Sequence, residues 1–469
     1  MSSRLVIMHL PPSTTSRLTI SLLKIYRGPI IHSMSHSAAE FCKIVTIIVS
    51  HGIIEEIRDS DLEPCPGDTK IVAKEGEFLM PGFVDTHTHA CQFSNLGIVI
   101  HDSGEGHELL DWLSKVTFPT EEKFSDINVA KKVYAAVVKN LLAFGTTTCC
   151  YYGTLHLDAT KILVDEVKKS GQRAFVGKCN MDKNATYPAY VEKDAATSID
   201  ETKKLIEYIR SVNPDTKVDA IITPRFALSC STDLLTGLGK LAGKYSPPVR
   251  IQTHISENKA EIRQTLAQFP ECQSYSAVYD KFGLLREGTI LAHGCWLDDE
   301  ELKLIQSRKS CISHCPTSNL NLRSGIARVS EMLHRNIEVG LGTDVSGGFA
   351  PSILTEIRHA NMASKALELS LLQSSVVPRP SLSIKQLLYL ATLGGAKVCG
   401  LGKVGNFKKG NYFDALLVSV RADAGNPAVW WEDLEDLEKR LERFFFCGNE
   451  RNIKKVWVQG NCVKGEANY

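Results

Sequence analysis

The sequence predicts an α/β fold: a closed (β/α)8 barrel of the TIM type, with a small β-sandwich-like domain built from both chain termini. Three observations lead there. From residue 80 onward, eight short apolar strands alternate with helical patterns, as expected of serial βα units closing into a parallel barrel. Both flanks instead carry short β-patterned segments, and neither is extensive enough to make a stable sheet alone. The 469 residues exceed one ordinary domain but suit a barrel of roughly 250–350 residues with a smaller partner.

In chain order, residues 1–20 are expected to form a disordered extension. No Asp or Glu occurs before residue 40, while Arg4, Arg17, Lys24 and Arg27 stand among many Ser and Thr, a composition shared with transit peptides. Strands follow at 24–32, 44–49 and 52–57. They open a composite β-domain of residues 21–79 and 395–469, which encloses a barrel of residues 80–394. Barrel strands are read at 82–87, 146–151, 174–179, 218–223, 249–254, 289–293, 310–314 and 338–343. The second is the weakest, since its Thr and Cys residues are poorly diagnostic. Helices are read at 128–143, 158–169, 199–212, 231–243, 258–268, 299–307 and 328–335. The chain then returns to strands at 413–420 and to a hairpin at 456–463 around Gln459-Gly460-Asn461.

Composition narrows the function. Lys and Arg total 54 against 53 Asp and Glu, so charge makes no case for nucleic acid or an anionic membrane. No apolar run reaches the roughly 18–20 residues of a spanning helix. The 14 cysteines are scattered, several lie in apolar runs, and no C-x-x-C occurs, so a reducing cytoplasm is the expected location.

Function in a barrel collects at the C-terminal ends of its strands. His87 and His89 end strand one, His254 ends strand five, His293 strand six and His314 strand seven, and Asp344 follows strand eight. His87 and His89, two apart on a strand, point the same way and can grip one ion. Alone such a pair is more often structural. With His254 and Asp344 it becomes three imidazoles and a carboxylate, a set that suits zinc and leaves a place for water. Zinc lowers that water's pKa towards about 7 and makes hydroxide available. Glu257, three residues past His254 in THISEN, suits a proton shuttle; its competing reading is capping of the helix that begins there. Gln92 offers an amide that both donates and accepts. Arg225 presents a planar fork suited to a purine carbonyl, Phe226 a stacking ring, and Trp112 with Leu113 a pocket wall.

The series PGFVDTHTH, THISEN, LAHG, SHCPTSNL and GLGTD resembles the amidohydrolase superfamily in its metal-dependent deaminase branch. DTHTHACQ, LLDWLSKVTFP, TPRFALSC, LAHGCWL and GLGTDVSGG are similar, more narrowly, to the guanine deaminases, and the likeness runs from about residue 24 to residue 463. The resemblance implies zinc ligands at His87, His89, His254 and Asp344, with Glu257 as proton shuttle and His293 orienting water or substrate. Asp344 also serves as a base. Gln92, Trp112, Leu113, Arg225 and Phe226 contact the base together with His254, Glu257, His293 and Asp344. It further implies hydrolytic attack at C2 of guanine, one zinc per chain and a homodimer. Strand four, VDAIITPRF, has Lys217 only at its start, which favours one metal over two. His314 reads as structural or supporting, and Thr317 stands where many relatives carry Asn. A deaminase of another purine, a pterin or a triazine is the alternative. A silent scaffold of this fold fits less well, because such chains lose ligands.

Overall fold

The computed structural model describes residues 22–97, 109–212, 217–372, 379–430 and 436–465. The expected extension at 1–20 lies outside them. Eight strands run parallel in sequence order: Phe83–His89, Thr146–Tyr152, Arg173–Gly177, Val218–Pro224, Arg250–Ile255, Ile290–His293, Cys311–His314 and Val339–Leu341. A two-residue piece, Cys179–Asn180, continues the third strand beside the fourth. The doubtful second strand is buried along its whole length, so burial between neighbours outweighs weak local propensity.

Strands one and eight are drawn together by backbone and side-chain bonds. Asp344 N donates to His87 O at 2.9 Å and His89 N to Val345 O at 3.2 Å. Beneath them, Thr86 Oγ1 donates to Leu341 O at 2.9 Å, and the buried Asp85 carboxylate accepts from Thr343 N at 3.0 Å and Thr343 Oγ1 at 2.6 Å. This closure sets the two histidines of strand one beside Asp344.

The surrounding helices follow from their apolar periodicity. In Ile127–Ala143 the buried positions are Ala130, Tyr134, Val137, Val138, Leu141 and Leu142, one stripe at the 3.6-residue period. Asp126 caps its start by accepting from Asn128 N. Helix Leu157–Ser170 ends at Gly171, whose φ of 72° costs a glycine little and other residues more. The longest helix, Ile353–Leu372, was not anticipated.

The terminal strands form one eight-stranded sheet in the order 461–464, 453–458, 415–419, 77–81, 24–35, 38–50, 53–58, with Thr69–Val72 also beside the strand at 24–35. Thr69–Val72 is short and half-exposed, which hid it in the sequence. Glu77–Pro81 is buried throughout, and the expected domain boundary at 79/80 falls within it. Its alternation serves two cores: Phe78 and Met80 face the barrel's core, and Leu79 faces the sheet's own. Leu416 and Val418 divide from Ala415 and Leu417 in the same way. Within the sheet's core, Tyr26 stacks on Phe413 with ring centroids 4.2 Å apart and meets Trp457 edge-on at 5.1 Å. A bridge between Ile53 and Tyr412 shows the sheet rolling on itself. The buried pair Arg173–Asp414, at 3.1 Å, ties it to the barrel. No helix among the described residues is long and apolar enough to cross a membrane.

Candidate active site

At the C-terminal mouth of the barrel, one nitrogen from each of His87, His254 and His293 and one oxygen of Asp344 lie within 4.8 Å of one another. His87 Nε2 is 3.1 Å from Asp344 Oδ1. His89, expected as a ligand, lies outside that group of four, which includes His293 instead; its Nε2 is 3.6 Å from the same oxygen and 3.2 Å from His254 Nε2. His254 Nδ1 sits 2.6 Å from the Arg225 carbonyl, which leaves Nε2 turned to the cluster. These spacings suit atoms sharing one ion through bonds of about 2.0–2.2 Å.

Electrostatics agree with that fit. Burial holds His87 below its usual pKa and His89 and His254 well below it, so all three favour the neutral ring, the form able to bind a metal. Burial acts to raise the Asp344 carboxyl, but the hydrogen bond to His87 and the neighbouring imidazoles outweigh it and hold it well below the carboxylate range. Nε2 of His293 is buried without a hydrogen-bond partner, and Nε2 of His87 has none but the Asp344 carboxylate. Buried polar atoms left unpaired are costly, and a divalent cation would satisfy them. Asp344 itself has φ 43° and His293 φ 74°, conformations that non-glycine residues adopt only where surroundings impose them.

Glu257 leaves strand five immediately after Ser256, whose φ is 46°. The competing capping role goes elsewhere. Asn258 caps helix Lys259–Gln268 in a reciprocal capping box with Glu261, and Glu261 accepts from Glu257 N at 3.0 Å. The Glu257 side chain is thereby free to face the site. Its Oε1 accepts from Ser324 Oγ at 2.9 Å, and its Oε2 lies 3.5 Å from His293 Nε2. Burial pushes its carboxyl up to about 7, a value suited to exchanging protons near neutrality. His293 Nδ1 is 2.8 Å from Asn319 Oδ1. Burial opposes its protonation, but Glu257 and Asp344 together raise its pKa.

Above this cluster opens a small, partly enclosed cavity. Gln92, Trp112, Leu113, Arg225 and Phe226 all line it, together with His89, His254, Glu257 and Asp344. His87 and His293 are not on its wall. Leu109, Glu261 and Leu322 are on it and were not anticipated. Arg225 differs from the expectation of a free fork: its Nη1 and Nη2 donate to Glu121 at 2.7 and 3.1 Å. Gln92 Nε2 donates to the same carboxylate at 2.9 Å, while Gln92 Oε1 accepts from Ser346 N at 3.1 Å.

His314 is buried at the end of strand seven, with its pKa pushed down to about 3 by burial and by His293; it is not in the ligand group. Thr317 is also buried, donating to Glu356 at 2.7 Å through its hydroxyl. Three further histidines, His101, His107 and His156, lie by sequence in loops near the mouth with no role assigned; His156 precedes helix Leu157–Ser170 and does not line the cavity. His101 and His107 lie outside the described residues. Sequence reasoning missed Glu121, Asn319 and Ser324. Asn319 and Ser324 lie in or just after the quoted HCPTSNL run, which was the one available signal. Glu121 gave none, because a Glu after Pro119 reads as an ordinary first helical turn.

A sequence profile of the amidohydrolase family matches residues 78–463. A probable guanine deaminase of Schizosaccharomyces pombe is 42% identical over 464 residues, covering 98% of this chain and 82% of the relative. The guanine deaminase of Mus musculus is 43% identical over 390 residues, 82% of this chain and 83% of its own. Among solved structures, the guanine deaminase of C. acetobutylicum, with guanine bound in its active site, superposes with a TM-score of 0.84 at 37% identity. That match covers 94% of this chain and 99% of the other. By sequence and by fold, the chain belongs to the amidohydrolase family, within the guanine deaminase group.

Proposed function

We propose that this protein is a zinc-dependent guanine deaminase, converting guanine and water to xanthine and ammonia. One observation carries the reading: the convergent imidazoles and carboxylate, the buried Glu257, and the polar wall of Arg225 and Gln92 meet at one cavity. The similarity to an enzyme that holds guanine in its active site supports the choice of substrate.

His87, His89, His254 and Asp344 would hold the ion, and His293 stands close enough to join or to orient what binds there. Nitrogen and carboxylate donors without a thiolate favour zinc. When bound, such an ion acidifies water, so hydroxide is available near neutral pH. Glu257 takes the first proton of the water as its oxygen attacks C2 and passes it to the adjacent ring nitrogen, where it stays in the product. Ser324 holds that carboxylate in place. Asp344 accepts the second proton of that water from the new C2 hydroxyl as the carbonyl forms and hands it to the amine, which leaves as ammonia. Arg225 and Gln92 hydrogen-bond the base, Phe226 stacks on it, and Trp112 and Leu113 close the apolar side.

Ammonia release with guanine, adenine, cytosine and a pterin offered side by side tests the substrate. Guanine should exceed every other ring, and no release from guanine would refute the reading. Metal analysis of protein purified without added zinc should find about one zinc per chain; two would overturn the mononuclear assignment. A cytoplasmic location is consistent with fourteen free thiols, and a homodimer is the expected assembly, which sedimentation would check.

A further inference from the structure

Glu121 is fully buried and does not line the cavity, yet it grips two residues that do. One oxygen accepts from Arg225 Nη1 at 2.7 Å; the other accepts from Arg225 Nη2 at 3.1 Å and Gln92 Nε2 at 2.9 Å. The short helix Phe118–Glu122 supplies both this carboxylate and the ring of Phe118, which lies 5.0 Å from Arg225 Cζ. The guanidinium is thus clamped from two sides by one turn of chain, and Ser346 locks the other end of the Gln92 amide.

The charge pairing matters as much as the geometry. An unpaired buried guanidinium facing a cavity is a strong anion receptor. Guanine is neutral near pH 7, whereas oxidised purines with more ring carbonyls lose a ring proton more readily, and the deamination product gains one such carbonyl. An uncompensated Arg225 would therefore favour product-like anions over substrate. Paired with Glu121, it reads a base through directed N–H donors and carries little net charge.

We propose that Glu121 is a positioning residue that sets the charge selectivity of this pocket. By neutralising Arg225 and orienting Gln92, it tunes the cavity to a neutral oxopurine and against anionic oxypurines. The inference rests on the guanine-deaminating reading only for the identity of the substrate.

The test compares the parent, Glu121→Gln, Arg225→Gln and the double variant, each with bound metal and melting temperature measured. Two readouts are taken: guanine kinetics, and binding of urate, a purine monoanion at neutral pH. Guanine turnover by the parent tests the substrate reading on its own, and urate affinity tests the inference whichever substrate is turned over. In Glu121→Gln, KM for guanine should rise about tenfold with a smaller change in kcat, while urate should bind about tenfold tighter. The double variant should lose that gain, because the unpaired cation is gone. Unchanged or weaker urate binding by a folded, metal-replete Glu121→Gln protein would overturn the proposal, since a merely structural role predicts lower stability without new anion affinity. If Glu121→Gln does not fold, the double variant is compared with Arg225→Gln. Equal guanine KM supports action through Arg225, and a further rise above about threefold refutes it.

Discussion

The histidine–aspartate cluster and the polar and aromatic wall meet at one cavity, which His254 and Asp344 of the cluster line, but they are built on different principles. The cluster hangs on strand ends. His87, His89, His254 and His293 lie in or at the close of hydrogen-bonded barrel strands, and Asp344 is tied by its amide to His87 O. Each of these residues is held by backbone pairing that any closed barrel must make. The wall hangs on connecting segments: Gln92 on the turn after strand one, Trp112 and Leu113 on a helical insertion, Arg225 and Phe226 past strand four. Arg225 keeps backbone bonds to Asn180 and His254, but the polar groups of the wall, the Arg225 guanidinium and the Gln92 amide, are positioned by side-chain bonds to Glu121 and Ser346. The difference suggests a division of labour, with chemistry on the rigid frame and recognition on parts free to vary between relatives.

If that division holds, substitutions in the cluster should abolish turnover and those in the wall should change affinity. The largest effect is expected for Asp344→Ala, which should lose bound metal and reduce deamination to background; retention of a full metal complement would break the comparison. Next comes Glu257→Gln. Turnover should fall by about 10²–10⁴-fold with metal content unchanged, and loss of the ion would mean that Glu257 had been assigned the wrong role. Arg225→Ala should lower kcat/KM for guanine by about 10–100-fold, chiefly through KM. Its melting temperature should also drop, because Glu121 is left buried without its counter-charge; an unaltered kcat/KM would argue against the wall reading this base. Ser324→Ala should reduce kcat by about 3–10-fold with KM little changed, the cost of one hydrogen bond to the Glu257 carboxylate. The smallest change in turnover, within about twofold, is expected for Asp414→Ala, which lies in neither region. Breaking its buried pair with Arg173 should still cost about 3 kcal/mol in denaturant unfolding.

Much of the cluster was legible because its signals are local. An H-x-H at the end of an apolar run, and histidines at later strand ends, locate a site once the strands are ordered. The terminal strands were equally plain from their alternation, although Thr69–Val72 and Glu77–Pro81 were not. Thr69–Val72 is too short and exposed to stand out. Glu77–Pro81 has both faces buried, so its apolar run merges with the approach to the barrel. The capping reading of Glu257 went the other way. Asn258, one residue on, has the free side-chain oxygen that the helix start uses, and only the backbone reversal at Ser256 shows which residue is first in the helix.

Reading along the chain was enough for the barrel, for the imidazole and carboxylate types at the strand ends, for the place of Glu257 and for the aromatic and basic character of the wall. These depend on strand periodicity and on short spacings, which the covalent chain enforces. The partners were set by packing across the fold. Glu121 meets Arg225 across 104 residues of chain, and Ser324 meets Glu257 across 67. Such pairings are set by where loops land after the barrel closes, and an acid at position 121 looks the same in sequence whether it faces water or a guanidinium. The physical reason is burial: once water is excluded, each charge must find a partner, and which partner it finds depends on packing between distant segments.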